Sequence, residues 1–124
     1  MDKKKSFDKK ITDLQNKYLK LFKIDLCGIA DDIPRKQRRQ LSEYFLSLLP
    51  TTVTDIKQIV LQHDKDPEKT YENDYQTFHE KLEEIFEMDE EEFEDDHDFG
   101  FDDYITLIID LFGKYLEKAN KLIK

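Results

Sequence analysis

The sequence predicts an all-α fold, a single-domain bundle of about five helices, four long and one short, around a central C-terminal helix. Three observations predict it. Apolar residues recur at helical spacing through most of the chain, start and stop signals separate those runs, and the last run is apolar over nearly two faces. Along that run, residues 102–122 and the position after it, Ile105, Ile108, Ile109, Phe112, Leu116, Ala119 and Ile123 share one face. Tyr104, Leu107, Leu111, Tyr115 and Leu122 flank it. A surface helix needs an apolar stripe of about 100°, and this one is about twice as wide. It therefore takes neighbours on two sides, with Ile109 and Phe112 expected at its buried centre.

The other elements follow in order. Residues 1–5 read as a flexible, lysine-rich tail ahead of one helical domain, 6–124. Ser6 is placed to cap a first helix carrying Phe7, Ile11, Leu14, Tyr18 and Leu21 or Phe22 inward, up to roughly Ile24. Leu26–Ile33, with Gly28, Asp31 and Asp32, reads as a loop, and Pro34 opens a second helix with Leu41, Tyr44, Phe45 and Leu48 on its apolar face. Pro50 stops it. Thr51, Thr52 and Thr54 offer caps for a short third helix with Ile56, Ile59 and Val60. Asp66-Pro67 starts a fourth, in which Tyr71, Tyr75, Phe78, Leu82, Ile85 and Phe86 keep the rhythm to about Glu87.

Composition narrows the function classes. A chain of 124 residues can bury enough surface to fold without staples. Cys27, the one cysteine, excludes an intramolecular disulfide and a tetrahedral thiolate site, and points to a reducing, cytoplasmic setting. No apolar run follows Lys3, Lys4 and Lys5, and none elsewhere is long and uncharged, so neither an ordinary signal peptide nor a membrane span is expected.

Charge divides the chain. Residues 1–40 hold 12 Lys/Arg against 6 Asp/Glu, whereas residues 41–124 hold 8 against 23, within a net charge of −9. That field opposes nucleic acid and anionic membrane. Arg35, Lys36, Arg38 and Arg39 nevertheless crowd the start of the second helix, where the macrodipole prefers anions. The sequence predicts compensation inside the molecule, by Asp31, Asp32 or the acidic stretch downstream; the alternative is an external phosphate or nucleic acid held by the same four cations. No Gly-rich phosphate loop and no recognised DNA-reading motif accompanies them.

The acidic stretch is the chain's principal candidate site. From Glu87 to Asp98, nine of twelve residues are acidic: Glu87, Asp89, Glu90, Glu91, Glu92, Glu94, Asp95, Asp96 and Asp98. Self-repulsion predicts an open or mobile segment. It does not fit a calcium loop, because Gly100 in the sixth position puts His97 third, Phe99 fifth and Thr106 twelfth. Phe93 among the acids serves either as the apolar anchor of a partner-binding surface or as a pin to the core, and Phe99 and Phe101, leading into the last helix, serve as pins.

Two patterns bear on catalysis. His63-Asp64 and His97-Asp98 resemble, as bare dipeptides, the metal pair of the helical phosphohydrolases, which also need further ligands on packed helices. Glu83, Glu84 and Glu87, with Asp110, resemble the carboxylate pattern of the all-helical nucleoside triphosphate pyrophosphohydrolases, which implies Mg²⁺ held against a triphosphate. Leu107 stands where that pattern calls for an acid, and Asp110 falls on the polar arc of its helix. His79 and Glu83, one turn apart, lack third and fourth ligands. With core faces of nearly pure Ile, Leu, Phe and Tyr, the sequence favours a small noncatalytic module without metal or cofactor. It would be protein-binding or inhibitory, an immunity-type or nucleic-acid-mimicking regulator included, and would meet a basic protein surface through residues 87–98.

Overall fold

The computed structural model describes residues 3–29, 32–97 and 99–123. Among them are six helices and no strand: α1 (Lys3–Ile29), α2 (Arg35–Leu48), α3 (Val53–Lys65), α4 (Pro67–Phe86), α5 (Glu90–Asp96) and α6 (Phe101–Ile123). Most boundaries sit where capping chemistry puts them. Thr52 Oγ1 accepts the Asp55 amide at 3.1 Å, and Asp66 Oδ1 accepts the Lys69 amide at 3.3 Å with Pro67 in the first turn. Pro34 occupies the N-cap of α2 without a side-chain cap, and the Leu49 amide closes its last turn on Leu46.

The first helix is longer than its sequence signals imply. Ser6 lies inside α1, which takes in residues 3–5 of the expected tail and continues to Ile29 through Gly28, and residues 1 and 2 lie outside the described residues. Leu26 explains the extension. It falls one turn beyond Phe22 on the same buried face, and burying a Leu contributes about 1.5–3 kcal/mol, more than the roughly 1 kcal/mol a helical glycine costs. Ala30 and Asp31 lie outside the described residues.

Helix α6 is the centre of the bundle and packs against α1, α3 and α4. Its buried residues are Phe101, Tyr104, Ile105, Ile108, Leu111, Tyr115, Leu116 and Ala119, whereas Ile109 and Phe112 are only partly buried. The buried arc is thus rotated towards the tyrosines. Helical spacing alone sets these at the flank, but Tyr115 buries its ring by donating its hydroxyl to the Pro50 carbonyl at 2.6 Å, which ties α6 to the α2–α3 turn. Tyr18 of α1 meets Tyr115 edge to face at 6.0 Å, and Phe22 stacks on Phe45 at 4.5 Å to hold α1 on α2.

The smaller helices bury less. Helix α3 buries Ile56 alone, and Leu61 is 71% exposed. Helix α4 buries Phe78, Leu82, Ile85 and Phe86, all in its second half, while Tyr71, expected inward, is 50% exposed. No helix among the described residues is long and apolar enough to cross a membrane. The rotation of α6 predicts that Ile108→Ala lowers the unfolding free energy by about 2–5 kcal/mol in urea titration, with a smaller loss for Ile109→Ala. Equal losses would contradict this placement.

Candidate functional site

Within the acidic stretch Glu90–Asp96 form a helix, and its order begins with local chemistry. Glu87 takes a left-handed conformation (φ 57°) that ends α4 and turns the chain. Asp89 then caps α5, its Oδ1 accepting the Glu92 amide at 2.8 Å, with Glu90, Glu91 and Glu92 at the positive end of the helix dipole. The signal was present in the sequence as Asp89-x-x-Glu92, an N-cap followed by an acid at the third helical position. Charge repulsion alone had argued against it.

Tertiary contacts complete the order. Phe93 is 0% exposed and packs among Phe86, Phe101 and Tyr104 at ring distances of 4.7, 5.1 and 5.9 Å. The His97 ring stacks on it at 4.1 Å. His79 bridges α4 and α5: Nδ1 lies 3.0 Å from Glu83 Oε1 and Nε2 lies 3.1 Å from Glu90 Oε2. Carboxylates only accept, so a ring protonated on both nitrogens satisfies both contacts. Tyr75 of α4 donates its hydroxyl to Asp102 Oδ1 at the start of α6.

These contacts sort the candidate residues. Glu87, Asp89, Glu91, Glu92, Glu94, Asp95 and Asp96 are exposed, and Glu90 is half-buried against His79. They form one acidic ridge. Phe93 is not part of that surface, because its ring is spent on the core and no partner can reach it. Asp98 lies outside the described residues.

Of the carboxylates expected to compensate the four cations of α2, Asp31 and Asp98 lie outside the described residues. Among the described residues, the only ion pair the four cations make joins Arg39 Nε to Glu43 Oε1 at 3.4 Å, within α2 itself. No described carboxylate of the ridge forms an ion pair with them. They open instead, with Lys23 of α1, onto a groove of about 950 Å³ between α1 and α2 whose apolar lining comes from Leu19, Leu26 and Leu46. The Arg38 guanidinium lies 4.0 Å from the exposed Cys27 Sγ, and Arg38 Nε finds no acceptor among the described residues.

The catalytic patterns do not assemble. Glu83 is engaged by His79, Glu84 by Lys81 at 3.5 Å and Asp110 by Lys114 at 3.2 Å, so the carboxylates do not converge on one point. His63 and Asp64 are helical and line a shallow cavity of about 270 Å³ with Glu117 and Asn120. Among the described residues, no group of three or more His, Cys, Asp or Glu side chains could hold a metal ion. The clearly perturbed titrations belong to packing. Burial raises Tyr44 and Asp74, pushes Tyr115 up to about 12, and raises Tyr104 further still with help from Asp32 and Asp103.

Compared with known proteins, the chain matches no family model, no curated protein and no solved structure.

Phe93→Ala should therefore act as a core truncation and lower the unfolding free energy by about 3–5 kcal/mol in urea; a change near zero would show that the ring is not packed. Tyr104→Phe tests the same cluster from the other side, because the buried Tyr104 hydroxyl has no hydrogen-bond partner among the described residues. Removing it should leave stability at pH 7 unchanged or raise it by about 1 kcal/mol. Both buried phenols keep their protons more firmly folded than unfolded, so their contribution is full below pH 10 and is lost as pH rises to about 12 and beyond. Tyr104→Phe should make that alkaline loss shallower, and a variant that is less stable at pH 7 would overturn the reading.

Proposed function

We propose that this protein is a noncatalytic binding module that engages a basic surface of a partner protein through the carboxylates of α5, and acts as an inhibitor or regulator in the cytoplasm. The single carrying observation is the burial of Phe93 beneath exposed acids. It converts a charge run that would otherwise be solvated coil into a fixed array. Ordered carboxylates hold their spacing before the partner arrives, so less conformational freedom is lost on binding. Immunity-type inhibition and imitation of nucleic-acid phosphates are two uses of such an array, and both require a basic counterpart.

The separate engagement of Glu83, Glu84 and Asp110 supports a noncatalytic reading over a magnesium-dependent one, since a hard cation needs several converging oxygens. The unpaired, exposed Cys27 is compatible with a reducing compartment.

A neutral-ridge variant, Glu91→Gln, Glu92→Gln, Asp95→Asn and Asp96→Asn, leaves the Asp89 cap and the His79–Glu90 contact in place. Proteins captured by the native chain and lost with this variant are the expected partners. With one of them purified, the variant should associate at least about tenfold more slowly at low salt and with a flatter salt dependence, while dissociation changes less. Identical capture by both chains would overturn the proposal.

A further inference from the structure

The ridge has a counterpart within the same chain. Among the described residues, the α1–α2 groove is lined by Lys23, Arg35, Lys36, Arg38 and Arg39, against a single acid, Glu43. Among the described residues, Arg39 alone of these five is in an ion pair, and its partner is Glu43. Among the described residues, no ion pair joins the two charged surfaces inside one molecule, although residues 1–40 carry a marked excess of cations and residues 41–124 a larger excess of acids. Two exposed surfaces of opposite sign, on different elements, are complementary between copies.

Size and chemistry agree with that pairing. The seven residues of α5 rise about 10 Å, and the eight-residue step from Leu19 to Cys27 along the groove rises about 12 Å. The groove also has an apolar component in Leu19, Leu26 and Leu46. At the ends of the ridge, Met88 and Phe99 are only partly buried and offer apolar atoms to it. A free phosphate would match the cations and leave that apolar lining uncovered.

We propose that the basic α1–α2 groove of one copy receives the acidic α5 ridge of a second copy, giving head-to-tail self-association. The contact joins two different surfaces, so each added copy exposes a fresh groove or a fresh ridge, and assembly continues beyond a dimer to a closed ring or an open filament. This rests on the reading of the ridge as a binding surface and names one occupant for it.

Sedimentation velocity on the full chain, over a concentration series at about 20 mM and about 500 mM NaCl, tests the contact. Species larger than a dimer should grow with concentration at low salt and weaken at least about tenfold at high salt. The groove variant Arg35→Gln, Arg38→Gln and Arg39→Gln and the neutral-ridge variant should each be monomeric alone. Mixed, they should form a one-to-one complex and nothing larger, because one supplies the ridge and the other the groove; this recovery also shows that both remain folded. A native chain that is monomeric throughout overturns the proposal, as does association that survives in either variant, or a mixture that stays monomeric. If only the groove variant still associates, or if the native chain is monomeric yet captures ridge-dependent partners, the groove assignment fails and the ridge reading stands. If neutralising the ridge changes neither self-association nor capture, both fail.

Discussion

The fold depends on covering the wide apolar surface of α6. A helix buried on one side can be served by one neighbour, but α6 buries residues from Phe101 to Ala119 over too broad an arc for that. Helices α1, α3 and α4 share the task, and α2 is held in turn by α1 through the Phe22–Phe45 stack. This arrangement also decides where charge goes. The outer faces of α1 and α2 carry Lys9, Lys10, Lys17, Lys20, Lys23, Arg35, Lys36 and Arg39, and the chain from α4 to the start of α6 carries most of the acids.

The order of α5 follows from a comparison of magnitudes. Like charges one turn apart, such as Glu91 with Asp95 and Glu92 with Asp96, disfavour a helix by about 0.2–0.5 kcal/mol per pair. Against them stand the Asp89 cap, worth about 1 kcal/mol, and favourable placement of first-turn acids on the dipole, about 0.3–1 kcal/mol each. Burial of Phe93 adds about 1.5–3 kcal/mol. These gains exceed the like-charge repulsion, and the aromatic cluster of Phe86, Phe93, Phe101 and Tyr104 decides the orientation of the helix, with the acids turned to water. Shape and charge at the ridge are thus consequences of one buried ring.

Much of the fold was legible in the sequence because its boundaries rest on local chemistry. Thr52, Asp66-Pro67, Pro34 and Pro50 act through their own backbone neighbourhoods, and each marks a boundary in the structure. Readings that depended on tertiary context fared differently. The extension of α1 through Gly28 required knowing that Leu26 would be buried, and the rotation of α6 required the Pro50 carbonyl to accept from Tyr115. The ridge acids were legible as residues but not as an ordered array, because like-charge repulsion is visible in composition whereas the burial of Phe93 that opposes it is a tertiary effect. Of the compensation expected for the α2 cations, the described residues show only Arg39 with Glu43, a local pair within one helix, since opposite sign alone does not establish contact.

The central claim is that residues 90–96 form a fixed helix rather than a solvated acidic coil, and amide hydrogen exchange measures this most directly. The Phe93 amide donates to the Asp89 carbonyl and the His97 amide to that of Phe93, both at 3.0 Å. Both should exchange at least about tenfold more slowly than the same sequence in a free peptide. Exchange at the free-peptide rate would contradict an ordered ridge and remove the physical basis for its role in binding.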